Sequence, residues 1–228
     1  MTTPVCLGHP YIHFDGLLAH LILREYMGFD YYVLPSKQPL TRQDFYRMKR
    51  PPERLMPLGR LGPIYRASAS QFDPNPLYVT TFFKRFHEPL AAQQNFKHKS
   101  IDTGRGRFRG WMLRLPYIPA ETVTFYAYGD LPKVLHLISH VTGLGKKVVA
   151  GFGAFKSVSV EELKEDYSVV WDDRAMRPIP LYMCEKAEEQ MMLAYKPPYW
   201  DKRNVQPCAT PGSKVVLKPE WEQILRGQ

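Results

Sequence analysis

In "GLLAHLILREYMG" the apolar residues Leu17, Leu18, Leu21, Ile22 and Tyr26 recur on one helical face, interrupted by His20, Arg24 and Glu25. That spacing lays an apolar stripe along a helix. Asp15 stands ahead of it as an N-cap and Gly28 behind it as a stop. The same period returns in Val134, Leu135, Ile138 and Val141, which predicts a second helix. Asp130 is its cap, Pro132 sits in the first turn where a missing N–H costs nothing, and Gly143 ends it. Elsewhere the period falls to two. "LYVTTFFKRF" (77–86), "TVTFYAYG" (122–129) and "AFKSVSVEEL" (154–163) are β-branched, aromatic or alternating, and predict strands. The run 108–117 lies just before 122–129, which predicts a hairpin around Pro119 and Glu121.

The order strand, helix, strands, helix, strand predicts an α+β fold with a ferredoxin-like (RRM-like) βαββαβ core. That domain spans 1–162, with an insertion at about 29–120 that carries a basic hairpin or loop. Beyond about Glu162 the patterning weakens. "SVVWDDRAMRPIPLYM" adds an edge strand, and "CEKAEEQMMLAYKPPYWDKRNVQPCATPG" reads as a short helix followed by a Pro-restrained segment. Residues 163–228 are therefore expected as a C-terminal extension, an extended arm packing on the same domain.

Charge changes the picture. Lys plus Arg number 31 against 22 Asp plus Glu, a net +9 with a pI near 9.4. The excess favours a polyanionic partner, nucleic acid or an anionic membrane surface. It is concentrated in two stretches, 42–66 and 97–114, each with a net charge of +5. These basic residues fall mostly in loops and strands and not on an amphipathic helix, which argues against the membrane surface. The three cysteines, Cys6, Cys184 and Cys208, form no CxxC pair, so neither a zinc ribbon nor a disulfide framework is supported. "MTTPVCLGHP" lacks the charged and apolar regions of a secretory signal, and the longest apolar run is too short to span a bilayer. The expectation is a cytoplasmic protein with no membrane partner.

The densest glycine cluster is "GLGKKVVAGFGAF", 143–155. A Walker loop needs Ser or Thr after Gly-Lys, but Lys147 follows Lys146. A dinucleotide loop runs from strand to helix, whereas this one is predicted to run from helix to strand. What remains is a loop whose glycines, Gly143, Gly145, Gly151 and Gly153, permit close backbone approach beside Lys146 and Lys147. That chemistry suits phosphate; a tight connection with two solvated lysines is the plainer alternative. Upstream, "GRGRFRGWMLR" interleaves Arg105, Arg107, Arg109 and Arg114 with Phe108 and Trp111. In an extended chain the first three arginines share one face, so they track a backbone while an aromatic stacks on a base. A flexible basic loop with a buried Trp is the alternative. Lys84 and Arg85 extend the same surface, and Phe152 is read as a core plug.

A helix running into G-x-G-K-x(5)-G-F-G and then a strand resembles the C-terminal glycine-rich loop of the RAMP superfamily, the CRISPR-associated RNA-binding proteins. Together with "YIHFDGLLAHLILRE" and "AYKPPYWDKRNVQPCATPG", the loop is similar to the type IV CRISPR effector subunit of the Cas-five group. The resemblance implies a non-catalytic subunit that holds the 5′ handle of a guide RNA (crRNA) and caps a ribonucleoprotein filament. It implies the backbone and large subunits of an antiviral-defence effector complex as partners, with target DNA as a further candidate. No cofactor or metal is called for.

Some relatives cut RNA, and histidine is their usual acid or base. His13, at the end of a predicted strand, and His87, beside the basic middle, are the candidates for that alternative. His136 and His140 stand four apart on the second helix but lack a third ligand nearby in sequence. Tyr199 and Trp200 follow a stiff Pro pair, placed to meet RNA, a neighbouring subunit or the core.

Overall fold

The computed structural model describes residues 1–28, 53–85 and 104–227. Strand β1 (Val5–Cys6) leads into helix α1 (Phe14–Met27), which ends at Gly28. The N-cap of α1 is His13 and not Asp15. The Asp15 carboxylate is turned inward, toward Arg177 and Tyr199, and is lost as a cap for that reason. Short strands β2 (Arg60–Leu61), β3 (Ile64–Tyr65) and β4 (Gln71–Asp73) follow. The long pair β5 (Tyr78–Lys84) and β6 (Trp111–Ile118) comes next, then β7 (Thr122–Thr124) and helix α2 (Leu131–Ile138). Asp130 caps α2 by accepting from the Lys133 N–H at 3.2 Å, with Pro132 in the first turn. α2 stops well before Gly143 and buries Val134 and Leu137, while Leu135 is exposed.

The principal sheet is antiparallel in the order β1-β6-β5, with Val5 opposite Ile118 and Tyr78 opposite Tyr117. β7 pairs with β4. The predicted hairpin between 108–117 and 122–129 is therefore wrong, because each run takes a different partner and the strand stops at Thr124. The predicted strand 154–163 is also absent. The free edge of β1 is taken by the preceding glycine loop, where Lys146 N–H donates to Cys6 O and Gly153 N–H to Pro4 O. Residues 157–163 run as a strap with Val158, Val160 and Leu163 exposed, over a cleft floored by Leu17 and Phe125.

The C-terminal part is no arm. Its strands are β8 (Val170–Trp171), β9 (Arg174–Ala175), β10 (Ile179–Pro180), β11 (Cys184–Ala187), β12 (Gln190–Ala194), β13 (Val205–Ala209) and β14 (Val215–Leu217). They pair as β8-β9, β10-β13-β12 and β11-β14, and helix α3 (Pro219–Arg226) closes the described chain. The helix expected in "CEKAEEQMMLAY" is replaced by β11 and β12, because β14 and β13 offer them ladder partners that outweigh local helix preference. The architecture is α+β, with three described helices and several small antiparallel sheets.

Apolar burial divides into three neighbouring clusters. One centres on α1 and α2 (Phe14, Leu18, Ile22, Val134), another on β1 and β6 (Val5, Leu7, Ile118, Leu144). The third gathers Val169, Ile179, Met183 and Val215 with Leu61 and Ile64 from far upstream. The cysteines are buried and unpaired, and burial pushes the Cys184 thiol up to about 11 and Cys208 to about 12.

Candidate nucleic-acid interface

The glycine loop is stitched to the chain's own start. Lys146 N–H donates to Cys6 O at 2.6 Å, Leu144 N–H to Gly153 O at 2.9 Å, and Thr2 N–H to Ala154 O at 2.8 Å. Gly153 (φ 71°) and Gly145 (φ 83°) are essential to that fit. A Cβ would come within 1.8 Å of Leu144 O at the first and 2.4 Å of Cys6 O at the second. The close approach these two glycines permit is thus to protein backbone. At the loop's tip Lys147 adopts the left-handed conformation (φ 62°), leading into a single helical turn, Val148–Ala150. A residue with a side chain held there pays in strain, so its surroundings must hold it.

Those surroundings are aromatic. Lys147 Nζ lies 5.0 Å from the centre of the Phe82 ring and 5.2 Å from that of Trp111. Cation–π attraction of this kind contributes about 0.5–2 kcal/mol per contact. Phe152 meets Phe82 edge-on at 5.5 Å, and Tyr117 stacks on Tyr78 at 5.6 Å. The register explains the gathering: Tyr78 faces Tyr117 and Lys84 faces Trp111 across β5 and β6, and opposed residues share a face. Cys6 pairs with Tyr117 on one side and with Lys146 on the other, which sets Lys146 on that same face. Phe152 is therefore a half-buried member of the surface and not a core plug. Trp111 is 43% exposed, which removes the buried-Trp alternative.

Not all the predicted cations join them. Arg85 lies against the Phe83 ring and Arg114 stands opposite Thr81, on the reverse face of the β5–β6 pair. Arg105 and Arg109 are exposed at the entry to β6, but Gly106 (φ 63°) turns the backbone there. The alternation expected for Arg105, Arg107 and Arg109 is broken by the turn Gly106–Phe108.

His13 is stacked flat on Tyr199, with ring centroids 3.8 Å apart and planes 3° apart. Burial first, and then the Arg177 charge, pull its pKa down to about 3, so the imidazole is neutral. Its Nδ1 is buried without a hydrogen-bond partner. Tyr199 O–H donates to Asp15 Oδ1 at 2.7 Å, and Arg177 Nη2 donates to Asp15 Oδ2 at 3.0 Å. Arg177 also donates to the carbonyls of Tyr65, Ala67 and Tyr195. Sequence reasoning missed this node altogether; Asp15 and Arg177 are 162 residues apart. Tyr199 is thus part-buried, with its hydroxyl tied into this node, while Trp200 is exposed. His87 lies outside the described residues.

His140, just past the end of α2, turns its Nδ1 to His136 O at 2.9 Å, and among the described residues no group of three or more His, Cys, Asp or Glu is placed to hold a metal. No described helix is long and apolar enough to cross a membrane.

A comparison with curated proteins finds no match. The family model described as CRISPR type IV associated protein Csf3 matches residues 65–211, well over half of the chain. That span takes in β5, β6 and Lys147, which build the aromatic face, and Arg177 and Tyr199 of the buried node. The chain belongs to the Csf3 family, a Cas-five-like group of type IV CRISPR-associated subunits.

Proposed function

We propose that this subunit binds guide RNA, holding its 5′ handle at the end of a type IV effector complex, and that it does so without cutting. One observation carries the reading. Lys147, from the glycine loop, sits over Phe82 and Trp111 of the β5–β6 pair, so phosphate chemistry and base-stacking chemistry share one sheet face. Exposed aromatics stack on unpaired bases at about 1–3 kcal/mol each, and lysines neutralise the phosphates between them. The sheet order β1-β6-β5, with α1 and α2 and with the glycine loop beside β1, supports a ferredoxin-like core whose last strand is replaced by the loop. A neutral His13 pressed against Tyr199 is poorly placed to exchange a proton with solvent-borne RNA, which supports the non-catalytic role. The backbone and large subunits of the complex are the protein partners, and the cytoplasm is the compartment this role requires.

The test is incubation of the full chain with labelled repeat RNA in EDTA. Retention of intact RNA, weakened when Lys147 or Trp111 is replaced by Ala, is the expected result. Site-specific cleavage that is lost in His13→Ala or His87→Ala would sink the non-catalytic reading. Failure to retain single-stranded RNA at all would sink RNA binding.

A further inference from the structure

The chain leaving β1 runs on beside the glycine loop. Two residues after Cys6 comes Gly8, and the Lys146 side chain lies directly across it. A Cβ on Gly8 would stand 2.0 Å from Lys146 Cε and 2.2 Å from Nζ, so a side chain there would push the lysine's flexible end aside. Immediately beyond are three rings. His9 meets Tyr11 edge-on at 5.3 Å, and His13 lies 5.6 Å from Tyr11 and 5.8 Å from His9. His9 is exposed and Tyr11 half-buried. The innermost ring, His13, is clamped on Tyr199, which Asp15 and Arg177 hold in turn. Core packing alone does not require a loop between β1 and α1 to spend two large rings at the surface. The buried node makes the array rigid, and a rigid array loses little freedom when a planar ligand settles on it. Partial desolvation by its neighbours lowers the pKa of His9, which favours the uncharged ring.

We propose that Gly8, His9 and Tyr11 form a second base platform, on which an unpaired nucleobase stacks while Lys146 holds the adjoining phosphate. This rests on the RNA-binding reading and extends its path from the β5–β6 pair, across the glycine loop, to the start of α1. The occupant follows from the chemistry: an ammonium over Gly8 and two rings close by in the chain suit the alternating phosphate and base of a single strand. The aromatic edge would otherwise have no use for the lysine that Gly8 admits.

The experiment uses the full chain and single-stranded RNA carrying one 2-aminopurine at successive positions. At one position the wild-type protein should quench the fluorescence by stacking, and Tyr11→Ala with His9→Ala should restore it. Affinity should fall about fivefold to a hundredfold, as for loss of one stacked base. The slope of log affinity against log salt should stay as in wild type, because no phosphate contact has been removed. Gly8→Ala, which displaces the Lys146 ammonium, should instead flatten that slope. Tyr11→Phe keeps the ring and should bind as wild type, which guards against a mere folding defect. Wild-type affinity and quenching in the Tyr11→Ala, His9→Ala protein would overturn the platform and leave the Lys147–Trp111 surface standing. A wild-type chain that binds no RNA would overturn both.

Discussion

Replacing Arg177 by Met tests the account of what joins the two ends of this fold. The residue is fully buried, 0% exposed. It donates to the carbonyls of Tyr65, Ala67 and Tyr195, to the Tyr199 hydroxyl and to the Asp15 carboxylate. Met fills most of the volume but donates nothing, so three carbonyls lose a partner and Asp15 is left as a buried, uncompensated charge. Breaking a buried pair from one side costs about 3–5 kcal/mol. A domain of this size has only about 5–15 kcal/mol to lose. Urea unfolding at neutral pH, followed by tryptophan fluorescence, should therefore show a midpoint far below wild type with an unchanged m-value. The double change Asp15→Asn with Arg177→Met should cost less than the sum of the single changes, by about 0.5–3 kcal/mol, because the orphaned charge is gone. A loss under about 1 kcal/mol for Arg177→Met would refute the reasoning, since it would mean water reaches Asp15 or the ion pair is absent.

Other outcomes follow from the same geometry. The folded pKa of His13 is depressed to about 3 from an ordinary 6.5, so protonation favours unfolding. Its contribution is fully present above pH 6.5 and is lost as pH falls toward 3, by about 1.4 kcal/mol per unit. His13→Phe, which keeps the stack on Tyr199, should thus lose about 2 kcal/mol less than wild type between pH 7 and pH 5; equal losses in urea titrations would contradict this. Gly153→Ala should destabilise by about 1–3 kcal/mol and speed amide exchange at Leu144, and unaltered exchange would mean the loop tolerates the clash. Trp111→Ala should weaken RNA binding about fivefold or more without altering the salt slope, read by fluorescence anisotropy. Lys147→Ala should lower that slope by about 0.7 for one phosphate released; an unchanged slope would remove Lys147 from the strand's path.

What the sequence disclosed and what it withheld divide along physical lines. α1, α2 and β5 were legible because local periodicity and caps such as Asp130 and Gly28 act over a few residues. Pairing was not legible, since the edge of β1 is a resource for which segments compete. The glycine loop occupies it, and of the well-patterned 154–163 only Ala154 finds a backbone partner among the described residues. Strands β11 and β12 have helix-like composition and are overruled by ladder partners about thirty and fifteen residues downstream. For the interface, Lys147 and Trp111 were both named from composition, but only the register of β5 against β6 sets them together. The same register sends Arg85 and Arg114 to the reverse side. Nothing local could announce that Asp15 serves Arg177 and not the helix end.

The strap 157–163 has a practical corollary. Among the described residues it makes no backbone hydrogen bond to the rest of the molecule, whereas Arg177, beyond it in the chain, grips Asp15, Tyr65 and Ala67 before it. A protease that severs the strap therefore separates two fragments that stay assembled until denaturant parts them. For the same reason, this is the place to open the chain for circular permutation, or to thread in a fluorophore, while leaving the sheet face untouched.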